Sequence, residues 1–142
     1  MPVYRCSIPQ GLLTDDQKQQ IALEITDIHC GLTNGTPRKF VHVTYEEVAP
    51  GATYVGGERS TASKTIGLIR TGRPQETRSE LVRQLTDMWA RISGQDKADI
   101  LVALQEVRPR DAMEWGELLP EDGVEAAWID EHGLTNAGVS AT

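Results

Sequence analysis

At 142 residues and 15.6 kDa the chain is the length of one domain and too short for two full-size ones. Its 39 % hydrophobic and 25 % charged residues are enough to close one core, which excludes a disordered, collagenous or low-complexity chain. The longest apolar run, Ile100 to Leu104, falls far below the roughly 20 residues that span a bilayer, and the first residues reach no apolar stretch of signal-peptide length. A cytoplasmic protein with no membrane partner is therefore expected, with Cys6 and Cys30 as reduced thiols in the core and no metal-ligand spacing. The net charge of −7 is uneven, because residues 111–142 hold eight acids and no Lys or Arg. With seven aromatic residues and no basic stripe, nucleic acid is a poor partner.

In chain order, the β-prone run Val3–Ile8 predicts a strand. Leu13-Thr-Asp-Asp16 supplies an N-cap and early acids, and Ile21, Ile25 and Ile28 recur at helical spacing, so a helix is expected over roughly 15–33. Asn34-Gly35 and Thr36-Pro37 end it, and Phe40–Tyr45 reads as the next strand. Residues 49–63 are a Gly/Ser/Thr-rich connection with a small strand at Thr53–Val55, readable as a hairpin and lacking the lysine and spacing of a phosphate loop. The pattern then repeats: a strand over Thr65–Ile69, a helix over Glu76–Ile92 stopped by Ser93-Gly94, and a strand over Asp99–Val107. The helices align at an offset of 60, with Ile21, Ile25 and Ile28 over Leu81, Leu85 and Met88, while Tyr45-Glu-Glu-Val48 falls on Leu104-Gln-Glu-Val107 at 59. From residue 120 on, Pro, Gly and acids dominate, so a mobile tail is expected in which only Trp128-Ile129 could anchor.

The expected fold class is thus α/β, a single domain of two pseudo-symmetric β-α-β units (residues 2–50 and 62–110) followed by an acidic segment (111–142). Right-handed crossovers place both helices on one face of one four-stranded sheet. The strand Ile100–Leu104 is apolar on both sides, so the other face is expected to meet further subunits.

Four features could carry chemistry. Pro2 follows the initiator Met, which aminopeptidases remove before a small residue, and the exposed secondary amine has a pKa near 8 that an apolar pocket lowers toward a neutral base. Arg70-Thr-Gly-Arg73 puts two guanidinium groups on a tight turn, able to converge on one carboxylate. His29 borders the apolar face near the end of the first helix, and Glu114 is flanked by bulky Met113 and Trp115. Each alone has a plainer reading: a common second residue, an exposed basic turn, a structural hydrogen bonder and a solvated acid.

Together with Ile25-Thr-Asp-x-His29-x-Gly-Leu-Thr33, Gly67-Leu-x-Arg70-x-Gly-Arg73 and Met113-Glu114-Trp115-Gly-x-Leu-Leu-Pro120, they form a set that resembles the tautomerase superfamily, within it the group of cis-3-chloroacrylic acid dehalogenase and its homologues. The resemblance runs from Pro2 to about Gly123. It implies Pro2 as catalytic base or acid, Arg70 and Arg73 as the substrate-carboxylate site, His29 as a catalytic group that binds and polarises substrate, and Glu114 as an activator of water. The family's tyrosine falls on Ala103, which has no hydroxyl. The implied function is a cofactor-independent homotrimeric isomerase, a tautomerase of phenylpyruvate-type enol and keto acids whose partner is a small carboxylate substrate. The alternatives are a hydratase or hydrolytic dehalogenase of 3-substituted unsaturated acids such as cis-3-chloroacrylate, and a non-catalytic trimeric binding protein.

Overall fold

The computed structural model describes residues 1–136. Strand β1 (Val3–Pro9) leads into α1 (Asp15–Leu32), whose start is set by a reciprocal cap. The Gln17 N–H donates to Thr14 Oγ1 at 3.1 Å, and the Thr14 N–H to Gln17 Oε1 at 2.8 Å. Such a cap stabilises by about 1 kcal/mol. Strand β2 (His42–Val48) begins two residues later than the β-prone run suggested, because Phe40 closes a short 3₁₀ turn (Arg38–Phe40) and turns inward to a core of its own. The connection forms the hairpin of β3 (Tyr54–Val55) and β4 (Glu58–Arg59). Then come β5 (Ser63–Arg70), α2 (Gln75–Ser93) and β6 (Ile100–Val107).

One sheet runs in the order β2-β1-β5-β6, parallel within each β-α-β unit and antiparallel between β1 and β5 at the centre. Both long helices cover one face. There Tyr4, Cys6 and Ile8 of β1 meet Ile21 and Ile25 of α1 and Leu81, Leu85, Met88 and Trp89 of α2. Cys6 lies in this core, whereas Cys30 is only half-buried on α1. Residue 67 must be glycine, since a Cβ there would sit 2.5 Å from Cε1 of Tyr4.

The repeat is visible in the ladders. Cys6 pairs with Tyr45, and Gly67 with Leu104, so the equivalent steps are 61 residues in the central strands and 59 in the outer ones, with 60 in the helices between. The helices repeat even a side-chain detail: Thr26 donates to the Ala22 carbonyl at 2.8 Å and Thr86 to the Val82 carbonyl at 2.7 Å. The pseudo-twofold passes through the central pair Arg5–Ile66.

The sheet's other face carries Val3, Ile66, Leu68, Leu101 and Ala103, and Leu101 is 52 % exposed. No helix among the described residues is long and apolar enough to cross a membrane.

The acidic segment is not a mobile tail over the described residues. A second hairpin, β7 (Met113–Glu114) and β8 (Glu117–Leu118), is followed by a third helix, α3 (Glu125–Glu131). Ile129 and Leu134 are buried with Phe40 and Leu119 in a second apolar cluster. Asn136 fastens the end, accepting from the Arg38 N–H at 3.0 Å and donating to the Thr36 carbonyl at 2.8 Å. Residues 137–142 of the expected tail lie outside the described residues.

Candidate active site

The second apolar cluster meets the sheet where β1 begins and β5 ends. Arg70 is the last residue of β5 and Arg73 lies on the turn into α2, so the ladder and the helix start fix both. Arg70 is only 7 % exposed. Its Nη2 donates to the Pro120 carbonyl at 2.6 Å and to Asp122 at 3.1 Å, while Nη1 lies 2.9 Å from Glu125 Oε1. Arg73 meets the same carboxylate, Nη2 to Oε1 at 3.0 Å and Nη1 to Oε2 at 3.3 Å. Its Nη2 also lies 3.4 Å from the Thr36 hydroxyl. The two guanidinium groups thus converge on one carboxylate, as their spacing suggested, and that carboxylate is the protein's own. Two buried cations close together are tolerable only with such compensation.

Pro2 is fully buried just ahead of β1, its carbonyl accepting the His42 N–H at 3.0 Å. The chain end ahead of it is held as well, for the Met1 amino group contacts Glu114 Oε1 directly. Burial first, and the Arg70 charge second, push this amine from 8.0 down to about 5. Burial and the Arg70 charge thus oppose protonation of this amine, while the Glu114 carboxylate in contact with it favours protonation. Glu114 Oε2 lies 3.1 Å from His42 Nε2. The Met1 side chain enters a cleft between Arg70 and Glu125 on the charged side and Phe40, Leu119 and Trp128 on the apolar side. With Met1 in place the cleft leaves about 20 Å³, room for one water.

His29 is buried in the last turn of α1, its Nδ1 2.8 Å from the Tyr4 hydroxyl. Burial above all, then Arg73 and the chain-end amine, lower its pKa from 6.5 to about 3. The ring is neutral at pH 7. Burial holds the Tyr4 phenol well above its usual range, so the hydroxyl keeps its proton and is able to donate it to Nδ1. With Tyr4 as the donor, the His29 proton resides on Nε2, which makes that nitrogen a donor.

The chain end and Arg70 therefore border one cleft, with Glu114 joined to it through the Met1 amine, Arg73 through Glu125, and His29 coupled electrostatically to both Arg73 and the amine. Ala103 is not part of it. It pairs with Ile66 on the sheet face away from the helices, two strands from β1. Sequence reasoning assigned no role to Tyr4, His42, Asp122 or Glu125. For Tyr4 and His42 a signal existed, since alternation puts Tyr4 on the helix face and a parallel β-α-β unit starts its two strands side by side. For the two acids there was none, because charge counting treats an acid as solvated.

A family model described as "Putative oxalocrotonate tautomerase enzyme" (Tautomerase_3) matches residues 1–132. The chain belongs to this family. Among solved structures, native Ps01740 is 36 % identical with a TM-score of 0.77, covering 79 % of this chain and 99 % of that one. A second, N1, a member of the cis-3-chloroacrylic acid dehalogenase family, is 25 % identical with a TM-score of 0.85 and 90 % coverage of each chain. A fused 4-OT described as a symmetric trimer shares the fold at 21 % identity and a TM-score of 0.75, covering 82 % of this chain and 94 % of that one. No curated protein matches. The chain is thus a tautomerase-superfamily member with a relative in the cis-3-chloroacrylic acid dehalogenase family, and members of the superfamily are mostly isomerases or related enzymes.

Proposed function

We propose that the protein is a cofactor-independent tautomerase of enol and keto acids, with Pro2 as base once Met1 is removed. The observation that carries this reading is the setting of Pro2, fully buried at the head of β1 next to a position where, for the Met1 amine, burial and the Arg70 charge favour the neutral form. A neutral secondary amine takes the proton from the enol hydroxyl, the C–O bond becomes a carbonyl, and the electron pair of the C=C bond accepts the proton at the neighbouring carbon. No atom is gained or lost. Arg70 and Arg73 hold the substrate carboxylate, and the His29 Nε2–H donates to the oxygen on which charge develops. The aromatic wall, with Phe40 and Trp128 ring centroids 6.1 Å apart, supports an aryl-bearing acid of the phenylpyruvate type.

A second reading draws on Glu114. Glu114 contacts the amine of Met1, one residue ahead of Pro2, and with Met1 removed a carboxylate at this place would favour a protonated Pro2 acting as acid, with Glu114 directing water at a 3-substituted unsaturated acid such as cis-3-chloroacrylate. Assembly as a homotrimer is supported by the open apolar sheet face and by the trimeric relative of the same fold. It would also matter to the second reaction, since a residue at 103 can approach a cleft only from a neighbouring subunit.

The test is ketonisation of phenylpyruvate enol by Met1-processed and Met1-retaining protein, beside hydrolysis of cis-3-chloroacrylate. Retaining Met1 turns the Pro2 nitrogen into an amide and fills the cleft, so turnover should fall about 10²- to 10⁴-fold, the usual worth of a general base. Equal turnover by the two forms refutes the reading, and faster turnover of the chloroacrylate than of the enol reverses the ranking.

A further inference from the structure

Among the described residues only Glu125 pairs with both arginines, its Oε1 lying 2.9 Å from Arg70 and 3.0 Å from Arg73 and its Oε2 3.3 Å from Arg73. A substrate carboxylate presents the same two oxygens and the same charge, so the two cannot occupy the fork together. The arginines are not saturated, because each keeps a buried Nε–H without a partner. The helix that carries Glu125 is held from its far side. Ile129 and Leu134 are buried, and Asn136 is bonded to the Arg38 N–H and the Thr36 carbonyl. Glu125 itself is the first residue of α3, with its side chain a quarter exposed. It can leave the arginines by rotating about its own side-chain bonds, with α3 still docked.

We propose that Glu125 is the resident occupant of the substrate-carboxylate subsite, a specificity-determining side chain that an incoming acid must displace. The proposal rests on the assignment of Arg70 and Arg73 to the substrate carboxylate. Exchanging one carboxylate for another conserves charge-assisted bonds, so Arg73 is never left without a carboxylate and Arg70 is never left with Asp122 alone. A ligand that is neutral at this end has nothing to offer the arginines and leaves Glu125 where it is. The apparent affinity for acids is lowered by the fraction of time the fork is closed.

The experiment uses Met1-processed protein and calorimetric titration with phenylacetate, which carries the carboxylate, and with phenylacetamide, its neutral counterpart. Glu125→Gln removes the competing charge and should tighten phenylacetate about tenfold while changing phenylacetamide less than about twofold. Glu125→Asp keeps the charge but draws it back by one methylene, and should tighten phenylacetate in the same direction; it decides the matter if the Gln variant fails to fold. A folded Glu125 variant that binds phenylacetate no more tightly than wild type, or that tightens both ligands equally, overturns the proposal. The Arg70→Ala/Arg73→Ala protein separates the two levels. Loss of phenylacetate binding there, with Glu125 variants unchanged, removes the gate and leaves the carboxylate site standing. Undiminished binding by the arginine variant removes both.

Discussion

Replacing Tyr4 by Phe deletes one oxygen from the site and nothing else. The ring stays where it is, because the space over Gly67 is shaped to it and an added Cβ there would come within 2.5 Å. The loss is the 2.8 Å bond to His29 Nδ1, buried at both ends, and the nitrogen is left with no donor. A neutral hydrogen bond contributes about 0.5–1.5 kcal/mol, and an acceptor left buried and unpaired raises the cost to about 1–3 kcal/mol. In a protein of this size each kcal/mol moves Tm by about 2–4 °C, so a fall of about 3–10 °C is expected. The chemistry should suffer separately. Without the phenol the imidazole proton is free to reside on either nitrogen, and the tautomer with Nε2 as donor loses its lock. Thermal unfolding measures the first effect, and nitrogen-15 correlation spectra of the histidine rings, with kcat/KM for an enol acid, measure the second. A variant whose Tm stays within about 1 °C of wild type and whose His29 keeps its proton on Nε2 would refute the reasoning, since the bond would then contribute neither stability nor tautomer.

Two further expectations follow from the same region. His29 has its folded pKa, about 3, below the unfolded value of 6.5, so the unfolded chain binds the extra proton between these limits. Its contribution to stability is complete above pH 6.5 and is lost as the pH falls toward 3, at up to about 1.4 kcal/mol per unit. Denaturant midpoints across this window should fall less steeply for His29→Gln than for wild type, and parallel curves would contradict the burial of a neutral ring. Gly72 sits at φ +97 with Asp122 Cγ 2.7 Å from where a Cβ would be. Gly72→Ala should cost about 1–3 kcal/mol in urea unfolding and loosen the Asp122 contact to Arg70; an unchanged midpoint would show that the turn has room to give.

What could be read from the sequence tracks how local its cause is. The two long helices and the four sheet strands announce themselves through Ile21, Ile25, Leu81 and Leu85 at helical spacing and through β-branched runs, so their bounds hold to within a few residues. Arg70-x-x-Arg73 was legible as a pair able to meet one carboxylate, although its spacing alone read more plainly as an exposed basic turn. The identity of the carboxylate it holds was not, since Glu125 lies 52 residues beyond Arg73 in an acid-rich stretch that looks solvated. Helix α3 was missed for a related reason. Seven residues show too little periodicity, and its hold comes from Ile129 and Leu134 meeting Phe40, a long-range contact that no local window contains. The hairpin around Trp115 was hidden by a non-glycine residue at φ +58, where no turn signal would place a tryptophan.

The pseudo-twofold carries an accounting of its own. Rotation about the Arg5–Ile66 pair sends Pro2 to Ser63, His29 to Trp89, and Arg70 to Pro9. At that opposite end the Ser63 hydroxyl is buried without a partner, Trp89 fills the core and donates to Gln95 at 2.9 Å, and Leu12 and Leu13 stand near the place of Arg73. One half supplies the chain end and the imidazole, the other the two cations, and the reciprocal combination contains no ionisable group among these counterparts. A fold with two equivalent ends thus has polarity: one end carries the two arginines and the chain-end amine with their paired acids, and the other carries none of their counterparts in ionisable form. Symmetry in the backbone is thus not repeated in the side chains at its two ends.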